Sequence, residues 1–262
     1  MSTPFFRTIP ILLVKEGELV KTIKFKKGEY VGDPINAMKI FNEKEVDELV
    51  ILDIAASKNR AKPDFHLIEQ VASEAFMPVA YGGGITCFED AKKIFSLGVE
   101  KIIVNSEFLI RPRFISEVTE VYGVQSVVVS IDYKYNLFGK RKVYSHVKNK
   151  TLSNYSVEEL INIASDIGVA EIILNSVSHD GTMAGADIDY VKSFKNYRVN
   201  VIPVGGVGRF EDILSLKTIA GAKACGVGSK FVFQDRSRSV MINYLSLKEK
   251  EMLEENEQIN SL

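Results

Sequence analysis

Two hydrophobic rhythms alternate along the chain. Short runs of β-branched and other apolar residues are separated by stretches in which apolar residues return at helical spacing. The runs are TIPILLV (8–14), ELVILDI (48–54), MPVAY (77–81), EKIIV (100–104), QSVVVSI (125–131), AEIILN (170–175), VNVIPV (199–204) and AKACGV (222–227). They are apolar on both faces, as expected of parallel strands covered by helices. Between them lie stretches such as DPINAMKIFNEK, TCFEDAKKIFSLG and RFEDILSLKTIAG. Several helices open on a capping residue: Asp33 before Pro34, Thr86, and Ser156. Eight strand–helix units predict one (βα)8 TIM barrel over residues 1–262, since such barrels take about 250 residues. A doubly wound open sheet is the alternative, but it does not require eight such regular units.

The pattern repeats itself. The fourth run ends in VNSEF and the eighth in VGSKF; the third leads into YGGGI and the seventh into VGGVG. Two half-barrels of four units each account for this. The repeat sets Leu13-Val14-Lys15 against Asp132-Tyr133-Lys134, so the first strand ends on a leucine where the fifth presents a carboxylate. Two stretches exceed plain strand–helix units. Residues 15–33 read as a long loop with lysines at 15, 21, 24, 26 and 27, and residues 134–152 as another. Long loops on a barrel belong to its catalytic face. A charged helix or tail, about 248–262, reads as solvated.

Composition narrows the picture. Hydrophobic content is 46% and net charge −1, which gives no reason to expect nucleic acid or an anionic membrane as partner. No apolar run approaches the roughly 20 residues that span a bilayer. The opening MSTPFFRTIP lacks the pattern of a signal peptide. Cys87 and Cys225 lie apart without metal spacing, and His66, His146 and His179 are scattered, so a reducing cytoplasm is expected and neither metal nor cofactor is.

Glycines at a strand end before a helix gather backbone N–H groups around one point, which suits a phosphate. Gly82, Gly83 and Gly84 with Asn105 and Ser106 form one such constellation. Gly205, Gly206 and Gly208 with Gly228 and Ser229 form a second. Facing each other across the barrel mouth, they suit a long ligand with a phosphate at each end; tight turns without a ligand are the alternative. Asp132 and Asp180 are the carboxylates placed for acid–base work, whereas Asp53 reads as a cap. At the other end of the strands stand Arg7, Glu48, Lys101 and Glu171. Spacing alone reads them as charged flanks, though two cations and two anions could also close the barrel as a ring.

The motifs IPxLxVKxG, GDP, DELVxLDI, GGGI, EKIIVN, IDxK, EIxLxSxxxDGT and GGxG recur in order from about Arg7 to Phe233. Together they resemble the cyclase subunit of imidazole glycerol phosphate synthase from histidine biosynthesis. The resemblance implies a (βα)8 barrel that receives ammonia from a glutaminase docked at its N-terminal face and closes an imidazole ring on a bisphosphate at the other. It makes Arg7, Glu48, Lys101 and Glu171 the ammonia gate, with Glu100 beside it. It gives Lys21 a role on the mobile first loop and makes Asp132 the second catalytic aspartate. Leu13 falls where the family has its first. Val204 and Asn175 also depart, from a hydroxyl residue and a threonine. A kept gate with altered chemistry resembles the family's paralogues in surface-polysaccharide gene sets. Those serve, with a glutaminase paralogue, a sugar amidotransferase that makes acetamidino groups. An authentic cyclase and a non-catalytic glutaminase activator are the competing readings.

Overall fold

The computed structural model describes residues 5–26, 28–235 and 237–259, with side chains through 255. Lys27 and residues 260–262 of the tail lie outside the described residues.

Eight parallel strands close on themselves. They are β1 (Arg7–Lys15), β2 (Leu49–Asp53), β3 (Val79–Gly82), β4 (Lys101–Val104), β5 (Val127–Tyr135), β6 (Glu171–Ser176), β7 (Asn200–Val204) and β8 (Ala224–Val227). Each pairs with its neighbours in order, and β8 returns to β1 with Arg7 opposite Ala224. The sequence is a (βα)8 barrel. The helices α1 (Pro34–Glu43), α2 (Phe65–Glu74), α3 (Phe88–Ser96), α4 (Arg113–Tyr122), α5 (Val157–Ile167), α6 (Ile188–Lys192) and α7 (Phe210–Thr218) link successive strands, and α8 (Leu247–Ile259) follows the last.

The doubly apolar strands are explained by two cores. Outward residues such as Leu12, Ile51, Val104 and Val129 pack against the helices. Inward residues, among them Ile9, Ile11, Leu13, Val50, Ile103, Val128, Ile173 and Ile202, fill the barrel as a second cluster. Burying both faces removes apolar area from water at roughly 25 cal/mol per Å² and fixes the register.

Asp33 accepts the Asn36 N–H at 2.7 Å with Pro34 in the first turn, and Ser156 forms a reciprocal capping box with Glu159. Thr86 does not cap α3. Cys87 holds the cap position, and Thr86 instead donates its N–H and hydroxyl to Asp90 at 3.1 and 3.2 Å. Thr86 stands one residue too early, so the carboxylate of the first turn reaches back to it.

The two long loops are hairpins. After β1, Glu18–Lys21 pairs antiparallel with β1, Leu13 opposite Val20, and then with Glu29–Gly32. After β5, Arg141–Ser145 pairs antiparallel with β5, Tyr133 opposite Val143. The half-barrel repeat therefore extends into the hairpins. Among the described residues, no helix is long and apolar enough to cross a membrane.

Candidate functional site

Arg7, Glu48, Lys101 and Glu171 meet at the N-terminal ends of β1, β2, β4 and β6. Arg7 Nη1 reaches Glu48 at 2.5 Å and Nη2 bonds Glu171; Lys101 Nζ lies 3.0 Å from Glu48 and 2.9 Å from Glu171. Each cation thus touches both anions, and the ring is closed. Burial disfavours the charge on Arg7, but Glu171 and Glu48 outweigh it and its pKa is raised. Burial likewise pushes Glu171 up, and Lys101 with Arg7 brings it net below the usual carboxylate range. Glu100 lies alongside, its carboxylate accepting the Val79 N–H at 2.7 Å.

Directly inside the ring is a cavity of about 10 Å³, bounded by Glu48, Glu171 and the aliphatic side chains of Ile9, Ile11, Val50, Ile103, Val128 and Ile173. That holds about one water-sized molecule.

The opposite mouth is two-sided. Alternation along β4, β5 and β6 turns Asn105, Ser130, Asp132 and Asn175 inward, because Ile103, Val128 and Ile173 belong to the inner core and Val104, Ile131 and Leu174 to the outer. Asp132 is buried, accepts from Asn105 Nδ2 at 3.1 Å, and lies 3.7 Å from His146 Nδ1. Asn175 stands in register with Asp132. The other side is apolar: Leu13, Leu52 and Val204 occupy the corresponding level of β1, β2 and β7.

The first hairpin lies across this mouth. The Asp180 carboxylate accepts from the Thr22 hydroxyl at 2.9 Å and the Phe25 N–H at 3.4 Å, and its carbonyl accepts the Lys24 N–H at 3.0 Å. Burial raises the Asp180 pKa, with Lys21 opposing. Lys21 is buried, donates to the Ile11 carbonyl at 3.2 Å, and sits against Gly228, where an added methyl would collide with its amine. Desolvation lowers its pKa to about 8, with Asp180 opposing. Asp180 is thus placed as a clasp for the hairpin, and Lys21 against the second glycine constellation.

Close backbone approaches account for glycine at both constellations. Gly84 has φ +72°, and a methyl there would fall 2.7 Å from the Ala61 carbonyl. Gly206 has φ +98° and abuts the Gly185 carbonyl. Ser106 and Ser229 open short helical turns, Ser106–Ile110 and Ser229–Val232, with Asn105 and Gly228 before them. Gly83 and Gly205 also take positive φ. Asp53 accepts the Ala55 and Ala56 N–H groups at 2.9 and 3.0 Å, as a loop cap.

Spacing alone did not reveal the Asp187 cluster. Asp187 accepts from Tyr133 at 3.0 Å, Tyr135 at 2.6 Å and Arg141 at 2.8 and 3.0 Å. Burial raises its pKa, and Arg141 with the two tyrosines brings it net down. The cluster pins the second hairpin. Its only sequence signal is an arginine inside the basic run GKRK, which looks like an ordinary surface loop.

A closed parallel barrel with an ion-pair ring at one mouth and carboxylates at the other is a (βα)8-barrel protein. The chain belongs to the histidine biosynthesis protein family, whose profile matches residues 7–237. It is 45% identical over 249 residues to the "Putative imidazole glycerol phosphate synthase subunit HisF" of Leptospira interrogans, covering 94% of this chain and 98% of that one. It is 45% identical over 239 residues to the "Putative imidazole glycerol phosphate synthase subunit hisF2" of Pseudomonas aeruginosa, covering 91% and 95%. To the imidazole glycerol phosphate synthase subunit HisF of Geobacillus kaustophilus it is 35% identical over 244 residues, covering 92% and 96%.

Proposed function

We propose that this chain is the ammonia-conducting barrel subunit of a glutamine-dependent amidation system. A glutaminase docks on the N-terminal face. Ammonia crosses the ring and the apolar shaft and leaves at the opposite mouth. There an amidotransferase uses it to convert an N-acetyl group of a sugar into an acetamidino group during surface-polysaccharide synthesis. The sugar acceptor rests on the resemblance of the motifs. The conduit rests on geometry, and the observation that carries it is the closed ring with a water-sized cavity directly inside. Ammonia is about as large as water, and as a neutral molecule it tolerates an aliphatic lining better than ammonium does. Exposed apolar side chains on the same face support docking there. Phe5, Phe76 and Val124 precede β1, β3 and β5 and are 45%, 89% and 44% exposed. Lys21, beside Gly228 and Ser229, would supply positive charge to a phosphorylated small molecule at the second glycine constellation.

Leu13 separates this reading from that of an authentic cyclase. It places no ionisable group opposite Asp132, and losing one partner of an acid–base pair commonly costs about 10²–10⁴-fold in rate. The cyclase reading is favoured by Asp132 itself, retained and inward-facing.

The test pairs the barrel with its cognate glutaminase. Binding should stimulate glutamine hydrolysis, and Lys101→Met should leave hydrolysis running while ammonia escapes to solvent instead of reaching the acceptor. A barrel that neither binds nor stimulates a cognate glutaminase sinks the conduit. Turnover of the bisphosphate with free ammonia at an ordinary enzymatic rate would establish the cyclase instead.

A further inference from the structure

The second hairpin ends in a turn that offers apolar side chains to water. Leu137 is completely exposed and Phe138 is 86% exposed. Neither belongs to either hydrophobic cluster, so the fold gains nothing from their being apolar. The turn that carries them is nonetheless fixed. Asn136 Oδ1 accepts the Phe138 and Lys140 N–H groups, both at 2.9 Å, and the Asn136 N–H donates to the Lys140 carbonyl at 2.9 Å. Next to the turn, Tyr135 pairs with Arg141, whose guanidinium is tied to Asp187 at 2.8 Å. Apolar side chains on a turn already held in place require little further ordering of the backbone when a partner covers them.

The charge of this segment has one sign. From Tyr133 to Val157 the sequence has six cations, Lys134, Lys140, Arg141, Lys142, Lys148 and Lys150, and no aspartate or glutamate, although the whole chain carries −1. Arg141 is taken up by Asp187, whereas Lys140, Lys142, Lys148 and Lys150 are exposed and make no ion pair among the described residues. Unneutralised lysines attract acidic groups over roughly a Debye length, about 8 Å at physiological ionic strength. The hairpin stands at the mouth away from the ring. Tyr135 lies roughly 10 Å further along β5 than Asp132, and the turn follows it.

We infer that Leu137 and Phe138, with the exposed lysines of their hairpin, form the docking surface for the enzyme that accepts the ammonia, a protein with an acidic surface around an apolar pocket. The inference rests on the conduit reading, under which ammonia leaving this mouth must enter another protein before it escapes to water. A flat anionic bilayer fits less well. Glu16 and Glu18 are exposed where the chain turns after β1, at the same mouth, and a plane approaching the barrel would meet them too. A protein surface can be shaped to touch one hairpin and leave the mouth open.

The test uses the barrel bound to its cognate glutaminase, with the sugar amidotransferase of the same system as probe. Binding should be tight at low salt, and added salt should slow association. Leu137→Ser combined with Phe138→Ser should weaken it about 10-fold or more. Lys140→Glu combined with Lys142→Glu should weaken it as much and remove the salt effect on association. Both double variants should melt with the wild type and stimulate the glutaminase equally, because the four side chains are exposed. Glutamine-dependent amidation should fall with binding, while amidation fed by free ammonium chloride stays unchanged. Amidotransferase binding that is absent in the wild type, or equal in all three proteins, overturns the inference. So does wild-type binding to phosphatidylglycerol vesicles that the serine variant loses while keeping the amidotransferase, which would assign the turn to a membrane. The conduit itself fails on a different measurement, the barrel's inability to bind or stimulate the glutaminase, so the two failures are separable.

Discussion

Leu13 shows how far one side chain can move a site. It is 8% exposed, lies in the inner core and pairs with Leu52 and Val20. A carboxylate placed there would be surrounded by aliphatic groups, which raise its pKa by desolvation. Leu13→Asp should therefore lower stability by about 2–4 kcal/mol at neutral pH, from lost apolar burial plus an unpartnered polar group. The deficit should shrink as pH falls and the new carboxyl becomes neutral. Urea unfolding at several pH values measures this, and a variant as stable as wild type at pH 7 would show that the mouth is wetter than its lining implies. Cyclase activity should not follow from this change alone, because Val204 and Asn175 also differ from the motif.

At the scale of elements, the hairpins matter most. Asp180 holds the first one down through Thr22, Lys24 and Phe25. Removing the carboxylate with Asp180→Ala should free the segment, raising amide exchange over residues 18–32 by roughly 5–30-fold for a loss of about 1–2 kcal/mol. Unchanged exchange there would mean that strand pairing alone fixes the hairpin. Lys21 adds a pH dependence. Its pKa falls from 10.5 to about 8 on burial, so between those values the folded chain binds fewer protons than the unfolded one. Stability should therefore rise with pH across that window. Asp180 opposes the fall, so Asp180→Ala should extend the window to lower pH.

The hairpins also mark where the sequence was hard to read. The barrel strands were legible because burial on both faces writes a continuous apolar run. The hairpin strands are only four or five residues long, too short to write a continuous apolar run, so they read as loops. Their anchors are remote in sequence: Asp180 for the first and Asp187 for the second. Spacing alone reads the four ring residues as charged flanks, and only the resemblance joins them, because the pairing links residues as far apart as Arg7 and Glu171.

For the molecule as a whole, the ring couples folding to acid. Glu171 has a depressed pKa when folded, so its stabilisation is complete above the ordinary glutamate range, about 4.3, and disappears as pH falls through the lower folded value. Thermal melts should show a drop in stability on that acid limb, and Glu171→Gln should flatten it while lowering the plateau. A limb unchanged in the variant would assign the acid sensitivity to other carboxylates.

The aliphatic shaft between ring and mouth has one more consequence. Protons travel quickly through proteins by hopping along files of hydrogen-bonded water, and such a file needs polar walls to hold it. Beyond Glu48 and Glu171 the shaft is lined by isoleucine and valine, and its cavity has room for about one water. No continuous wire can form along it. The barrel would therefore insulate one mouth from the other, so that the proton balance at the ring is not transmitted to the far end. Each end can then hold its own carboxylates and cations at the protonation its neighbours dictate.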